Sequence, residues 1–279
     1  MPIEPAAFWG EAAEARVKLI SDAKFLFMKL FPLTVLQGDP RSTILAYPHG
    51  DSQEVNSRIQ ELAQLAVHSI YDFGCKPLKV FHVLGVGYCG VVALARLGSQ
   101  DVALKIRRTN APKADFQQEA AFLAIANQVG VGPRLLSASR NFLVMDYIAG
   151  DRFLDWVKKG VTSCSLTTIQ SILRRILQDS YRLDDVGLDH GNLQCISDHI
   201  IVSGEQAVLI DFSSASRLRR AANVTSVTQG LFLRTQIATP LAEVFPLPPK
   251  RELIEVLRHY KRQQTGKNFD GLLKLLGLN

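Results

Sequence analysis

The sequence predicts an α+β protein organised in two lobes. The first part of the chain has helical periodicity, residues 79–148 have the period of β-strands with one helix among them, and the remainder is mostly helical. A block of strands followed by a block of helices is typical of the α+β class, whereas α/β proteins alternate the two regularly.

The N-terminal part is expected to be helical over residues 6–31 and 53–73. In the second segment Ile59, Leu62 and Leu65 recur on one helical face. Residues 37–53, between the two helices, are rich in proline, glycine and polar side chains and therefore predict a loop or a hairpin-like linker.

The middle of the chain is expected to form a sheet that contains one helix. Residues 79–106 predict three strands, with glycines at the first turn and a second turn at 98–101. Asp115 is expected to cap a helix, because Gln118 completes a capping box, and this helix should end near Gly130. Two further strands are predicted at 134–138 and 142–148.

The C-terminal part predicts several helices and one strand hairpin. Asp151 is expected to cap a short helix within 149–159. A long helix follows and should end before Gly187, because its apolar residues keep helical spacing: Ile169, Ile172, Leu173, Ile176 and Leu177. A hairpin is predicted at 199–212 and helices at 225–238, 251–262 and 267–277, with Asn223 as a helix cap.

Composition is that of an ordinary globular protein with a basic balance. The 279 residues are 47% hydrophobic and 21% charged, with a formal net charge of +6, which favours polyanionic partners such as nucleotides or nucleic acid. Four scattered cysteines predict free thiols in a reducing compartment. Acidic residues interrupt the N-terminal segment, and no stretch approaches the roughly 20 apolar residues of a membrane span, so we expect a cytoplasmic protein that does not contact membranes.

A first group of motif residues lies in the predicted sheet and its helix. Gly85, Gly87 and Gly90 between two strands would let backbone amides approach phosphates, although a plain hairpin turn uses the same glycines. Lys105 in the next strand is a candidate phosphate-binding cation, and Glu119 on the following helix is a candidate carboxylate to hold it. A solvated lysine and a surface glutamate are the ordinary alternatives, but the three features in this order are rarer than each alone.

A second group lies in the predicted C-terminal part. Residues 187–202 contain Asp189, His190, Asn192, Asp198 and His199 in a non-helical stretch. The motif "VLIDFSS" then ends an apolar strand with Asp211, where an oxygen ligand for a hard divalent ion would belong. Polar turns that satisfy their own backbone are the alternative for both segments.

Together these motifs resemble the signature set of the protein kinases. "GVGYCGVV", "VALK", Glu119, "VMDYIAG", "DHGNL" and "IDFS" occur in the kinase order across residues 79–215. The chain is most similar to the small atypical kinases of RIO type and to the small kinase of the tRNA-modifying KEOPS complex, which share the His-Gly pair. The resemblance implies a bilobal protein-kinase-like fold: an N-terminal helical extension (1–75), an N-lobe of sheet and one helix (76–148), and a minimal helical C-lobe (149–279).

The resemblance also implies ligands and residue roles. ATP and Mg²⁺ would bind between the lobes, with Gly85, Gly87 and Gly90 over the phosphates. Lys105 would pair with Glu119, and Asp211 would hold magnesium. The segment from Met145 to Ile148 would contact adenine. Lys105, Asn192 and Asp211 would then be the catalytic residues.

This sequence departs from the kinase pattern at two positions. Asn192 stands where the family has the aspartate that accepts the proton of the substrate hydroxyl; an amide can orient a hydroxyl but cannot take its proton, so transfer should be slowed. The second metal ligand is Asp198 on chemistry or His199 on register. Asp189 is an alternative base.

The function expected from the resemblance is that of an atypical serine/threonine protein kinase of RIO-like type. It would transfer the γ-phosphate of ATP to a hydroxyl of an unknown protein or small molecule, or to itself. The alternatives are a pseudokinase acting as an ATP-dependent binding module for protein or RNA partners, and a small-molecule phosphotransferase. Thr225, Ser226 and Thr228 are candidate autophosphorylation targets. Nucleic acid would bind through basic clusters: Arg107 and Arg108, Lys158 and Lys159, Arg174 and Arg175, and Arg217, Arg219 and Arg220.

Overall fold

A computed structural model describes residues 28–161 and 164–279 as a mixed α+β protein with an antiparallel sheet. The chain divides into two compact units. Unit 1 contains the described residues up to Phe116 together with Leu136–Ala149, and unit 2 contains Gln117–Leu135 and Gly150–Asn279. Most of the helix predicted at residues 6–31 lies outside the described residues.

Unit 1 is built on a seven-stranded sheet with the order β1-β2-β6-β7-β9-β8, and β5 also pairs with β6. Its strands are β1 (Lys29–Pro32), β2 (Val67–Asp72), β3 (Lys76–Leu78), β4 (Phe81–Val83), β5 (Gly85–Val86), β6 (Gly90–Leu97), β7 (Gln100–Arg107), β8 (Leu135–Ala138) and β9 (Phe142–Asp146), of which β3 and β4 form a separate hairpin. Its helices are α1 (Leu33–Leu36), a 3-10 segment (Pro40–Ile44) and α2 (Ser52–Gln64).

The core of unit 1 lies on one face of this sheet. Val91, Ala93 and Ala95 of β6 stand opposite Ile106, Leu104 and Val102 of β7, and all six side chains are buried. Alternate residues of a strand point to the same face, so this register places these six side chains on one side of the sheet. The two strands predicted within 134–148 are confirmed, whereas residues 79–106 form four strands, β4 to β7, where three are predicted.

Both helix predictions in the N-terminal part extend too far towards the C-terminus. Residues 29–31 belong to β1, and the predicted helix 53–73 ends at Gln64, followed by β2 from Val67. Ala66 takes a left-handed φ of 58°, which ends the helix, and Val67, Ile70 and Tyr71 are residue types that favour strands. β2 pairs with β6.

Helix α2 is fastened to the sheet of unit 1 by two charged side chains. The Glu61 carboxylate accepts hydrogen bonds from the Ser139 hydroxyl, the Asn141 amide N–H and the Asn141 side chain, the last two at 2.7 Å. The Arg58 guanidinium, fully buried, donates to the carbonyl oxygen of Arg107 at the end of β7. We call these contacts the α2 clamp.

Unit 2 is mostly helical. Its elements are α3 (Gln117–Gln128), β10 (Asp151–Arg152), α4 (Phe153–Gly160), α5 (Leu166–Asp185), α6 (Ile196–His199), β11 (Ile200–Ser203), β12 (Gln206–Leu209), a 3-10 turn (Phe212–Ser214), α7 (Asn223–Phe232), α8 (Thr235–Ala242), α9 (Lys250–Arg262) and α10 (Gly266–Leu275). Strands β10, β11 and β12 form a small sheet.

Helix α5 is the centre of unit 2 and confirms the long predicted helix. The Ser165 hydroxyl caps its start by accepting from the Thr168 N–H at 3.0 Å, and Gly187, with φ of 66°, follows its end. Its predicted apolar positions are buried: Ile169, Ile172, Leu173, Ile176 and Leu177. The hairpin predicted at 199–212 is also present as β11 and β12.

Two predicted caps in unit 2 are wrong. Asp151 lies in β10 opposite Val202, and Arg152 occupies the cap position of α4 without a side-chain cap bond. Asn223 is the first residue of α7, not its cap, because its side chain is used elsewhere, as described below. The helix predicted at 225–238 is divided into α7 and α8.

The helices of the described ranges include none that combines the length and the apolar character needed to cross a membrane.

Candidate active site

The glycine-rich hairpin of unit 1 is a tight antiparallel turn. The Gly87 N–H donates to the Gly90 carbonyl at 2.8 Å, and the Arg108 side chain donates to the Gly87 carbonyl at 3.0 Å. Gly90 packs closely against the Lys105 side chain: a β-carbon added at Gly90 would lie 3.3 Å from Cγ of Lys105. The backbone of this hairpin therefore approaches the predicted phosphate-binding lysine.

Lys105 is buried in the centre of the unit 1 sheet. It stands opposite Val92 on β6 and Leu143 on β9, and only 6% of its surface is exposed. Its Nζ lies 5.6 Å from the centroid of the Phe116 ring, within cation–π range. A lysine that reaches this position from a central strand is not the solvated edge residue of the ordinary alternative.

The residues predicted to contact adenine lie at the end of β9. Met145 pairs with Ala103 of β7, and Ile148 follows the strand; both side chains are half-buried. This is the same sheet that carries Lys105, so unit 1 brings its predicted nucleotide contacts onto neighbouring strands.

In unit 2, Asp211 lies at a strained turn two residues after the end of β12. Its φ of 68° and ψ of 82° are left-handed, a region that non-glycine residues rarely occupy. Its carboxylate accepts a hydrogen bond from the Ser213 N–H at 3.2 Å. Strain of this kind costs energy and is concentrated at functional sites.

His190 is a fully buried link between the Asp189–Asn192 segment and the strand before Asp211. Its Nε2 lies 3.1 Å from the carbonyl oxygen of Ile210, and its ring meets that of His199 edge to face. Burial lowers the pKa of His190 to about 4, the neighbouring His199 acts in the same direction, and Asp211 acts against it. The ring is therefore neutral at pH 7 and donates its Nε2–H to Ile210.

Asn192 contacts the turn that follows Asp211. Its side-chain Nδ2 donates to the Ser214 hydroxyl at 2.9 Å. Gly191, with φ of 87°, makes this approach possible, because a β-carbon there would lie 2.4 Å from the Ser214 carbonyl oxygen. Segments 22 residues apart in sequence are thus joined through Asn192.

Asp189 is committed to another partner. Its Oδ2 accepts from Arg219 Nε at 2.8 Å, and its backbone pairs with Ser216. Arg219 also donates to the Ser214 carbonyl oxygen at 2.6 Å. The carboxylate predicted as an alternative base therefore lies beside the Ser214 turn, neutralised by a guanidinium.

The two candidates for a second metal ligand differ in their surroundings. Asp198 is largely exposed and pairs with Arg152 at 2.8 Å. His199 is half-buried, and within the described part of the chain its Nδ1 has no hydrogen-bond partner. No three histidine, cysteine or acidic side chains in the described ranges are grouped so that they could hold a metal ion by themselves.

A buried polar network holds the Asp189–Asn192 segment, and sequence reasoning missed its role. The Asn223 side chain accepts from the His190 N–H and donates to Asp184 and to the Leu188 carbonyl, each at 2.8 Å. Asp184 also accepts from the Tyr260 hydroxyl at 2.9 Å. Burial raises the pKa of the Asp184 carboxyl, against the effect of these donors.

A signal for this network was present in the sequence. Asp184 falls on the buried face of α5, eight residues after Ile176, where an apolar residue is the rule. An acid at such a position requires buried donors, and Asn223, Val224 and Tyr260 supply them.

Glu119 lies in the first turn of α3 in unit 2, and its side chain is buried. Lys105 belongs to unit 1, so the ion pair predicted between them stays a prediction.

Several of the basic residues predicted as nucleic-acid contacts have intramolecular partners. Arg107 donates to Asn141, Arg175 pairs with Asp179, Arg219 pairs with Asp189, and Arg220 donates to Lys261 and Arg262 carbonyls. These residues connect elements of the fold.

Two of the predicted autophosphorylation targets are unsuitable acceptors. The Thr225 and Thr228 hydroxyls are buried and donate to the carbonyls of Ala222 and Val224. A hydroxyl that is buried and bonded to a helix carbonyl is not accessible to ATP.

Two surface grooves of unit 2, of about 420 and 560 Å³, contain none of the predicted site residues. The first is lined by apolar side chains of α7 to α9, among them Phe232, Ala238 and Leu253. The hydrogen-bonded cluster around Asn192 and Asp211, which contains the groups with chemical function, lies in neither groove.

Comparison with models of known protein families and with curated proteins found no match to this chain.

Proposed function

We propose that the chain is an ATP-dependent phosphotransferase of protein-kinase-like, bilobal fold, similar to the RIO-type kinases. Unit 1 would act as the N-lobe and unit 2 as the helical C-lobe. The acceptor would be a hydroxyl group, in a protein, in a small molecule or in the chain itself.

One observation carries the proposal most: Asn192 and Asp211 belong to two segments that meet in unit 2. The contacts are the Asn192–Ser214 hydrogen bond and the contact of His190 with Ile210. A kinase needs its catalytic loop and its metal-binding aspartate side by side, because phosphoryl transfer depends on positioning and charge. The strained backbone of Asp211 gives further support.

The unit 1 residues support the phosphate-binding half of the proposal. Lys105 is a buried cation directly beside the glycine-rich hairpin. A buried ammonium is stabilised by nearby anionic groups, and the phosphates of ATP would bind Lys105 together with Glu119. Met145 and Ile148 would contact the adenine.

Magnesium fits the proposal as an ion held jointly by protein and substrate. Mg²⁺ is ordinarily bound through one or two carboxylates together with substrate phosphates, so a three-residue cluster is not required. Asp211 would be the first ligand. Asp198 would have to leave Arg152 to become the second, while His199 offers a nitrogen that Mg²⁺ disfavours. When bound, the ion would neutralise charge on the transferred phosphoryl group.

Asn192 favours a second candidate function, that of a nucleotide-binding module without transfer. Its amide donates to Ser214 and cannot take up a proton. Such a module would bind ATP and act through protein or RNA partners.

The test is ATP binding and turnover by the full chain and two variants. Asp211→Asn removes the charge but keeps an oxygen for the Ser213 N–H and tolerates left-handed backbone. Lys105→Met keeps the stem and removes the ammonium. We expect both variants to lower ATP turnover by at least about tenfold, the first through loss of magnesium and the second through loss of phosphate binding.

Asp198→Asn and His199→Gln serve as a matched pair for the second ligand, since only the true ligand should change the magnesium dependence. Thermal stabilisation by ATP without turnover would favour the binding module. Absence of any ATP effect on the wild-type protein would refute both functions.

A further inference from the structure

Ser214 lies in the turn after Asp211, and its hydroxyl faces Asn192. The Asn192 Nδ2 to Ser214 Oγ distance is 2.9 Å, and the Ser214 side chain is half-buried. Under the proposed function Asn192 orients the acceptor hydroxyl. The structure already provides a hydroxyl at that amide.

The Ser214 hydroxyl also has its own proton available. Its oxygen accepts the bond from Asn192 and donates none to a residue that the structure describes. Thr225 and Thr228 differ, because their hydroxyls are buried and donate to helix carbonyls. Ser216 has similar exposure to Ser214, but its hydroxyl accepts from the Leu218 N–H and does not contact Asn192.

We propose that Ser214 is the acceptor of the ATP γ-phosphate in an autophosphorylation within one chain, an inference that rests on the proposed function. Ser214 Oγ would form a bond to the γ-phosphorus while the bond from that phosphorus to the β,γ-bridging oxygen breaks. ADP leaves with the electron pair. The hydroxyl proton passes to a phosphoryl oxygen or to water, because the Asn192 amide cannot accept it.

Arg219 is placed to respond to the modification. It donates to the Ser214 carbonyl at 2.6 Å and to the Asp189 carboxylate at 2.8 Å, and about half of its side chain is exposed. A phosphoserine at 214 carries a charge of roughly −1.5 to −2 and would compete with Asp189 for this guanidinium. Phosphorylation would therefore release the Asp189 carboxylate beside the site.

The experiment incubates the full chain with magnesium and γ-labelled ATP and maps the phosphate by mass spectrometry. We expect phosphate on Ser214 in the wild-type protein. Ser214→Ala should lose at least about tenfold of the incorporation, and Ser216→Ala should keep it within about twofold. Ser214→Thr keeps a hydroxyl at the same position and should yield phosphothreonine there, which distinguishes a lost acceptor from a misfolded chain.

Protein concentration separates transfer within a chain from transfer between chains. Intramolecular transfer predicts a fractional rate that does not change on tenfold dilution, whereas a rate proportional to concentration would overturn the inference. Phosphate mapped elsewhere, or ATP binding with no phosphate on Ser214, would also overturn it while leaving the proposed ATP binding intact. If the wild-type protein does not bind ATP, the inference and the proposed function fail together.

Discussion

His190 is a buried neutral imidazole, and its protonation should destabilise unit 2 as the pH falls. It is fully buried, and its pKa is lowered from 6.5 to about 4, chiefly by burial. The unfolded chain therefore binds a proton at a higher pH than the folded chain does. The contribution of the neutral His190 ring to the free energy of unfolding is fully present above pH 6.5 and is lost progressively as the pH falls towards 4.

The size of the effect follows from the difference between the two pKa values. A difference of about 2.5 pKa units corresponds to about 3 kcal/mol when fully expressed. Between pH of about 7.5 and about 5.0 the same linkage gives a loss of about 2 kcal/mol in the free energy of unfolding.

The assay compares urea unfolding of the wild-type protein and His190→Gln at these two pH values. Glutamine keeps an N–H for the Ile210 carbonyl but does not titrate. The variant should lose about 2 kcal/mol less than the wild-type protein on acidification. His68→Gln, at an exposed position, should keep the wild-type pH dependence because His190 is intact. Equal pH dependence in wild type and His190→Gln would refute the reasoning.

Three further predictions concern contacts described above. Gly191→Ala should destabilise unit 2 by at least about 2 kcal/mol in urea unfolding, because its β-carbon would meet the Ser214 carbonyl at 2.4 Å and φ is positive. Glu61→Ala should destabilise unit 1 by about 2–3 kcal/mol in the same assay, since it leaves the Asn141 donors without their acceptor. Asn192→Asp should raise phosphate transfer to Ser214 by at least about tenfold in the labelling assay, because a carboxylate can accept the hydroxyl proton.

Each of these variants has a matched control. Gly204 also has a positive φ, but a β-carbon added there would meet open space. Gly204→Ala should therefore lower the free energy of unfolding by only about 1–2 kcal/mol. Gln60→Ala lies exposed on the same helix as Glu61 and should change stability by less than about 0.5 kcal/mol. Gln194→Glu adds the same charge two residues from Asn192 and should not raise the rate. Variants indistinguishable from these controls would contradict the corresponding contact's assigned role.

Local patterns in the sequence predict the elements that have a strong local signal. The strands β6 and β7 are short runs of mostly apolar residues on either side of a turn, and α5 carries an apolar face and a capping serine, so these elements are recognisable without tertiary information. The sequence does not predict the boundary between α2 and β2, because Leu65 and Ala66 continue the helical spacing. The left-handed turn at Ala66 that ends it leaves no mark in a single sequence.

The candidate site was predictable as a set of residues, but its contacts were not. Asn192 and Asp211 were found from their motifs. The roles of Ser214, Arg219 and Asn223 depend on partners 5–39 residues away in the chain, such as Asp184 for Asn223. Asparagine favours helix caps, which predicts that Asn223 caps a helix, but its side chain instead bonds the buried Asp184 carboxylate.

The pairing of β2 with β6 has a consequence for any shortened form of this protein. Without residues 28–75, the eight-residue strand β6 would keep its pairing with β5 and β7 but lose its pairing with β2, and the sheet would lose the α2 clamp. A strand edge that becomes exposed presents unpaired backbone N–H and C=O groups, and together with apolar side chains these promote pairing with other chains. Such a truncated protein should therefore aggregate, even though every residue predicted to contact ATP would still be present.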